Sequence, residues 1–259
     1  MNLIHVVYSF ARSGGTLVNQ LLGVHPQCLV LSEVNPVASY KPVIEQAIGW
    51  LGLVEELEAK EFSRLPYHEQ IITLRSRAAE QGKRLIVRDW VTVNFLPGCA
   101  GDSIVPSDQL EQKWYLQRAG LKSVPLVISR RAHAVYQSVK QNFSHLRDLE
   151  LDVFAQSYLK YVQAVAEYPV VQVEYMRAQP DEALKDILRR FDLDGGDPEA
   201  MLKNFSYFKN CTGNNTLDVP SRSAMACQIL PVKKTDLQEA AFSKIHPALL
   251  EADRLLGYE

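Results

Sequence analysis

The apolar positions along the chain alternate between two periods. Leu3-Ile4-His5-Val6-Val7-Tyr8 is a short β-branched run, which predicts a buried strand. It breaks at Ser9-Phe10-Ala11-Arg12-Ser13-Gly14-Gly15, after which Leu17, Val18, Leu21 and Leu22 recur at helical spacing. The opening unit is therefore strand, glycine turn, helix. A second strand is expected from Cys28 to Leu31, after His25-Pro26. Residues 40–82 read as helices, carried first by Ile44, Ile48, Leu51 and Leu53, then by Ile71, Ile72, Leu74 and Ala78, with Gln81-Gly82 as the stop. Arg84 to Arg88 and Pro125 to Ser129 are two more strands, with an amphipathic helix over 107–119 between them. Helices follow over 132–145 and 152–167, then a last strand from Val170 to Tyr175 and a helix from Glu182 to Phe191. The segment 195–235, rich in Gly, Asn, Ser and Thr, reads as an ordered loop region.

Short β-rich runs alternating with helices imply crossover units around a parallel sheet. The pattern contains no repeat, low-complexity tract or dividing linker. The expectation is one α/β domain over 1–259, a central parallel sheet flanked by helices.

Composition narrows the function. Lys plus Arg is 28 against 30 Asp plus Glu, a net charge of −2, without the basic excess of a nucleic-acid binder. No run approaches 18 apolar residues, so no membrane span is expected. The start of the chain lacks the basic flank and cleavage site of an export signal. The four cysteines, at 28, 99, 211 and 227, form no CxxC pair and read as reduced thiols of a cytoplasmic protein. No clustered His, Cys or carboxylate spacing points to a metal.

A glycine turn from a first strand into a helix is where such folds bind phosphate, because free backbone N–H groups and the positive helix end face the ligand together. Ser13, Gly14 and Gly15 would supply close backbone approach, Thr16 a hydroxyl and Arg12 a charged fork. The same residues, taken alone, also make an ordinary tight turn. The Walker A spacing of common ATPases and GTPases is absent.

Phe10-Ala11-Arg12-Ser13-Gly14-Gly15-Thr16-Leu17, with His25-Pro26 and Ser32-Glu33 behind it, resembles the 5′-phosphosulfate loop of P-loop sulfotransferases. That family has the nucleotide-kinase-like fold and uses 3′-phosphoadenosine 5′-phosphosulfate (PAPS) as donor. Its usual form is K/R-S-G-T-T, so Gly15 is a departure. Val127 to Ser138 resembles the 3′-phosphate motif, with Arg130 at a strand end and Ser138 eight residues on in the next helix. Val173-Glu174-Tyr175-Met176, with Pro180, resembles the stretch whose tyrosine contacts adenine, which implies that role for Tyr175. Val219-Pro220-Ser221-Arg222-Ser223 resembles the segment that closes over the 3′-phosphate, with Arg222 and Ser223 as candidates. Without the resemblance, Arg130-Arg131 is a solvated helix start and Tyr175 a core residue.

The resemblance also implies the chemistry. Sulfuryl transfer needs positioning, charge stabilisation and removal of the acceptor's proton. Arg12 suits the leaving phosphate, and Arg88 aligns with a Lys the family uses near the sulfuryl group. Phenol sulfotransferases place a catalytic His two residues beyond that Lys; Trp90 stands here instead. Glu33 is the candidate general base, as in the tyrosylprotein and carbohydrate branches, and Asp89 is the runner-up. The expectation is a PAPS-dependent sulfotransferase acting on a hydroxyl of a small molecule, sugar, lipid or phenol. The alternatives are an ATP-using P-loop kinase-like phosphotransferase and a non-catalytic nucleotide-binding protein of the same fold. Neither the acceptor nor the oligomeric state is legible.

Overall fold

The computed structural model describes residues 2–213 and 246–258. In chain order the elements are β1 (Leu3–Ser9), α1 (Gly15–Gly23), β2 (Cys28–Val34), α2 (Val43–Gly49), α3 (Ala59–Phe62), α4 (Tyr67–Glu80) and β3 (Arg84–Asp89). There follow α5 (Glu111–Arg118), β4 (Lys122–Ser129), α6 (Ala132–Asn142), α7 (Leu151–Val165), β5 (Val170–Gln172), α8 (Val173–Ala178), α9 (Pro180–Arg190), α10 (Pro198–Asn204) and α11 (Pro247–Leu255).

The five strands form one sheet in the order β2-β3-β1-β4-β5, every neighbouring pair parallel. Such strands are buried on both faces, which is why Val6, Val7, Ile86, Val87, Val127 and Ile128 are all sealed from solvent. One face packs against α2, α4, α5, α6, α7 and α11 around Leu31, Val34, Val87, Phe154 and Tyr158. The other packs against α1, α8, α9 and α10 around Val18, Leu22, Ile128, Ile187 and Phe191. The α/β sheet architecture expected from the periodicity is the one observed. No helix among the described residues is long and apolar enough to cross a membrane.

The connection from β1 runs towards β2, and the connection from β4 runs the other way to β5. The carboxyl ends of β1 and β4 thus flank a topological switch point, where open α/β sheets bind their ligands.

Four expectations need correction. β2 runs on to Val34, so Glu33 lies inside it. The helix expected over 107–119 starts only at Glu111. The last strand stops at Gln172, and the chain turns helical at Val173 because tertiary contacts override the β-branched run. Within 195–235, residues 198–204 are helical, started by Asp197, whose side chain accepts from the N–H groups of Glu199 and Ala200, and by Pro198 in the first turn. The remainder of that segment from 214 lies outside the described residues.

Candidate active site

The loop after β1 is pinned from both sides. Phe10 is buried among Phe154, Tyr158 and Tyr161, and its carbonyl accepts from the Ser13 N–H at 3.0 Å. The Ala11 N–H donates to Thr92 Oγ1 at 2.7 Å. Arg12 (φ 70°) and Gly14 (φ 91°) both adopt the left-handed region, which folds the chain back into α1. A Cβ on Gly14 would collide with Val173 of α8, and one on Gly15 with Ser9 Oγ and Arg88 Nε. Among the described residues no side chain caps the start of α1. Its first N–H groups, which have no partner within the helix, and the positive end of its dipole are left for an anion.

Beside this loop the guanidinium of Arg88, buried at 5 % exposure, reaches in three directions. Its NH2 donates to Glu33 Oε1 at 2.6 Å. Its NH1 donates to Ser32 Oγ at 3.3 Å and Thr212 Oγ1 at 3.4 Å, two hydroxyls that share a 2.7 Å hydrogen bond. Its Nε is buried, lies towards Gly15 and finds no acceptor among the described residues, and Ser9 Oγ is likewise buried without a partner there. A cation with an unmet donor and an unmet hydroxyl around a helix start without a side-chain cap among the described residues is a set of groups suited to an oxyanion.

Glu33 reaches Arg88 because β2 is irregular. Leu29 and Leu31 face one core, and Cys28 and Val30 the other. Strict alternation would send Glu33 into the core beside Leu31. Instead the register with β3 shifts between Leu31 and Val34, Glu33 takes φ 50°, and Val34 occupies the core position. This bulge turns the carboxylate towards Arg88. Gln46 of α2 holds the edge just before it: its Oε1 accepts from Ser32 N–H at 2.7 Å and its Nε2 donates to Ser32 O at 2.9 Å.

Asp89 follows Arg88 and so points to the opposite face. It is fully buried, and burial raises its carboxyl to about 8. The runner-up base is therefore a core group, on the other face of the sheet from Arg88.

At the end of β4, the Arg12 Nε donates to Ser138 Oγ at 3.0 Å, so the first and second sequence motifs meet. Asn142 Nδ2 donates to the same oxygen at 3.2 Å, which leaves the Ser138 hydroxyl proton to be given away. The Arg130 carbonyl accepts from Tyr158 OH at 3.1 Å. At the start of α6 two amides are already engaged: Arg131 N–H donates to Glu174 Oε1 at 3.2 Å and Ala132 N–H to Asp253 Oδ1 at 2.8 Å.

Tyr175 sits in the first half of α8, 38 % exposed, and not at a strand end. Arg222 and Ser223 lie outside the described residues. Thr16 Oγ1 donates to the Thr212 carbonyl at 3.3 Å, tying α1 to the segment that also reaches Arg88. Ser32 and Thr212 were not among the sequence candidates, and a contact spanning 180 residues has no local signature. Cys28 Sγ lies 3.6 Å from His25 Nδ1, but burial pushes this thiol up to about 12, so the pair holds no thiolate.

No family model and no curated protein matches the chain. Solved structures do. All of the chain aligns with the sulfotransferase domain of the Synechococcus PCC 7002 olefin synthase, covering 95% of that domain at 15% identity and a TM-score of 0.65. It aligns over its full length with the sulfotransferase domain from the curacin biosynthetic pathway, covering 99% of that domain at 15% identity and a TM-score of 0.53. The fold is that of sulfotransferase domains.

Proposed function

We propose that this chain is a sulfotransferase that moves a sulfuryl group from PAPS to a hydroxyl of a small-molecule, sugar, lipid or phenolic acceptor, the whole of 1–259 acting as one domain. The observation that carries this reading is the buried Arg88 Nε, a charged donor without an acceptor among the described residues, set against the uncapped start of α1. The residues fit the donor in both places where it carries anionic groups. Arg12, Ser13, Gly14, Gly15 and Thr16 would hold the 5′-phosphosulfate, and Arg130 with the Ser138 hydroxyl the 3′-phosphate. Tyr175 lies within the same carboxyl edge as the adenine contact, and Arg222 and Ser223 remain candidates for closing over the 3′-phosphate.

PAPS supplies a sulfuryl group whose bond to the 5′-phosphate breaks as the acceptor oxygen bonds to sulfur. Arg88 would stabilise charge on that group through Nε while its other face keeps Glu33 in place. Glu33, in a carboxylate branch of the family, would take the acceptor's proton. One guanidinium thus links the charge-stabilising group to the base, so both move together if it moves. No step here requires a metal from this chain.

The test is a pair of measurements. By calorimetry, adenosine 3′,5′-bisphosphate should bind much more tightly than ATP, with or without Mg²⁺; Mg²⁺-dependent ATP binding of equal strength would move the protein to the kinase-like reading. Glu33→Gln should lower sulfuryl transfer by about a hundredfold to ten-thousandfold while bisphosphate affinity holds. Full activity in that variant removes Glu33 as base.

A further inference from the structure

Behind Glu33 lies a buried polar group that the sulfuryl-transfer reading does not use. Asn35, two residues beyond the bulge, is 2 % exposed, and it sits with Asp89 at 0 % and Asn94 at 1 %. Its Nδ2 donates to Asp89 Oδ1 at 2.7 Å and to Asn94 Oδ1 at 2.8 Å. Its Oδ1 accepts from Val37 N–H at 3.0 Å and from Asn94 Nδ2 at 3.4 Å. One amide therefore satisfies all of its donors and acceptors while joining three segments: the end of β2, the end of β3 and the turn at 91–94. Buried polar groups cost free energy unless paired, so the fully paired Asn35 amide favours a single arrangement, even though Asp89 Oδ2 finds no partner among the described residues.

Its position gives it a task. Left-handed backbone at a residue other than glycine persists only where the surroundings over-determine it. Around Glu33 those surroundings are the Trp90 N–H on Val34 O at 3.2 Å, the Tyr40 N–H on Glu33 O at 3.1 Å, the Gln46 side chain on the backbone of Ser32, and the Asn35 cluster. Gln46 holds the bulge from the residue before Glu33, and the Asn35 side chain holds it from two residues beyond. The Asn35 cluster couples Asp89 to the β2 end just as Arg88, the preceding residue, is coupled to Glu33.

We propose that Asn35 is a positioning residue: through Asp89 and Asn94 it locks the β2 bulge and so holds the Glu33 carboxylate on Arg88. Its effect on turnover rests on the sulfuryl-transfer reading, whereas its effect on the Glu33–Arg88 pair does not. Asp89 takes part as an acceptor through Oδ1, and an asparagine can replace it in the same hydrogen bond.

The two effects are read separately. The Arg88 Nε–H resonance, assigned by its loss in Arg88→Lys, should shift in Asn35→Ala in the same direction as in Glu33→Gln. Asp89→Ala should shift it too, and Asp89→Asn should recover most of the wild-type position. With PAPS as the only substrate, release of sulfate by slow hydrolysis should fall in Asn35→Ala as far as in Glu33→Gln. The double variant should fall no further, because both changes remove one interaction. Bisphosphate affinity should stay within about threefold. Should Asn35→Ala not fold, Asn94→Ala, which removes one of its two acceptors, is held to the same expectations. An unmoved Arg88 resonance in a folded variant overturns the proposal, as do losses that multiply in the double variant. A moved resonance with unchanged turnover in both Asn35→Ala and Glu33→Gln keeps the positioning role and sinks Glu33 as base.

Discussion

Arg12 and Ser138, 126 positions apart in sequence, share a 3.0 Å hydrogen bond across the mouth between β1 and β4. The side chain that opens the loop after β1 is thereby steadied by α6. A neutral hydroxyl holding an exposed arginine contributes modestly, about 0.5–1.5 kcal/mol. Ser138→Ala should therefore weaken adenosine 3′,5′-bisphosphate by about threefold to tenfold in calorimetry. In an Arg12→Ala background the same change should cost less, because its partner is gone.

Arg130→Ala separates the two phosphates. Glu174 and Asp253 already engage the Arg131 and Ala132 amides at the start of α6, so on the proposed reading the Arg130 side chain carries much of the hold on the 3′-phosphate. A charge-assisted bond is worth about 1.5–3 kcal/mol, which corresponds to a loss of about ten- to a hundredfold for the bisphosphate. Adenosine 5′-phosphosulfate, lacking the 3′-phosphate, should bind almost unchanged. Equal losses for both ligands would make Arg130 a residue of the fold.

Asp89 should leave a mark on stability. Its folded value of about 8 lies above the ordinary 3.8, so the folded chain keeps a proton that the unfolded chain has released. Stability from this group is complete at low pH and falls as pH rises towards 8, by up to about 1.4 kcal/mol per unit. His5 works in the opposite sense: burial lowers it to about 4, so its contribution grows as pH rises from 4 to 6.5. The two offset each other below 6.5, and Asp89 acts alone of the pair above it. Melting temperature should decline from pH 6.5 to 8, and Asp89→Asn should flatten that decline. An unchanged slope in the variant would show that Asp89 is ionised in the folded protein.

Gly15→Ala tests the crowding around the loop. Its methyl would press on Ser9 Oγ and Arg88 Nε, and overpacking of this kind costs about 1–3 kcal/mol. Melting temperature and bisphosphate affinity should both fall, and Ser9→Gly in the same chain should restore part of each. Wild-type affinity in Gly15→Ala would mean that the anion does not sit against Arg88.

What was legible in the sequence was what is contiguous. The strand, turn and helix from Leu3 to Gly23 could be read because each is set by neighbours in the chain. The Arg130 to Ser138 spacing placed both residues correctly on a strand end and a helix. The bulge at Glu33 could not be read, since periodicity assumes the alternation that the bulge interrupts. Val173 looked like strand because Val170 and Val171 precede it; packing against Gly14 and the pull of Arg131 N–H and Tyr258 OH on Glu174 decide otherwise. Thr212 and Asp253 complete the site from far along the chain, where no local pattern announces them.

Gly15 and Arg88 claim the same volume. The family pattern that the loop resembles has a threonine at the first position and a lysine at the second, and this chain departs from both. A Cβ at position 15 would collide with Ser9 Oγ and begin 2.8 Å from the guanidinium Nε, so the two departures are coupled in space: the broad cation fits beside a residue without a side chain. Restoring threonine alone should damage the loop, lysine alone should leave it loose, and Gly15→Thr with Arg88→Lys together should recover more nucleotide affinity than either change predicts.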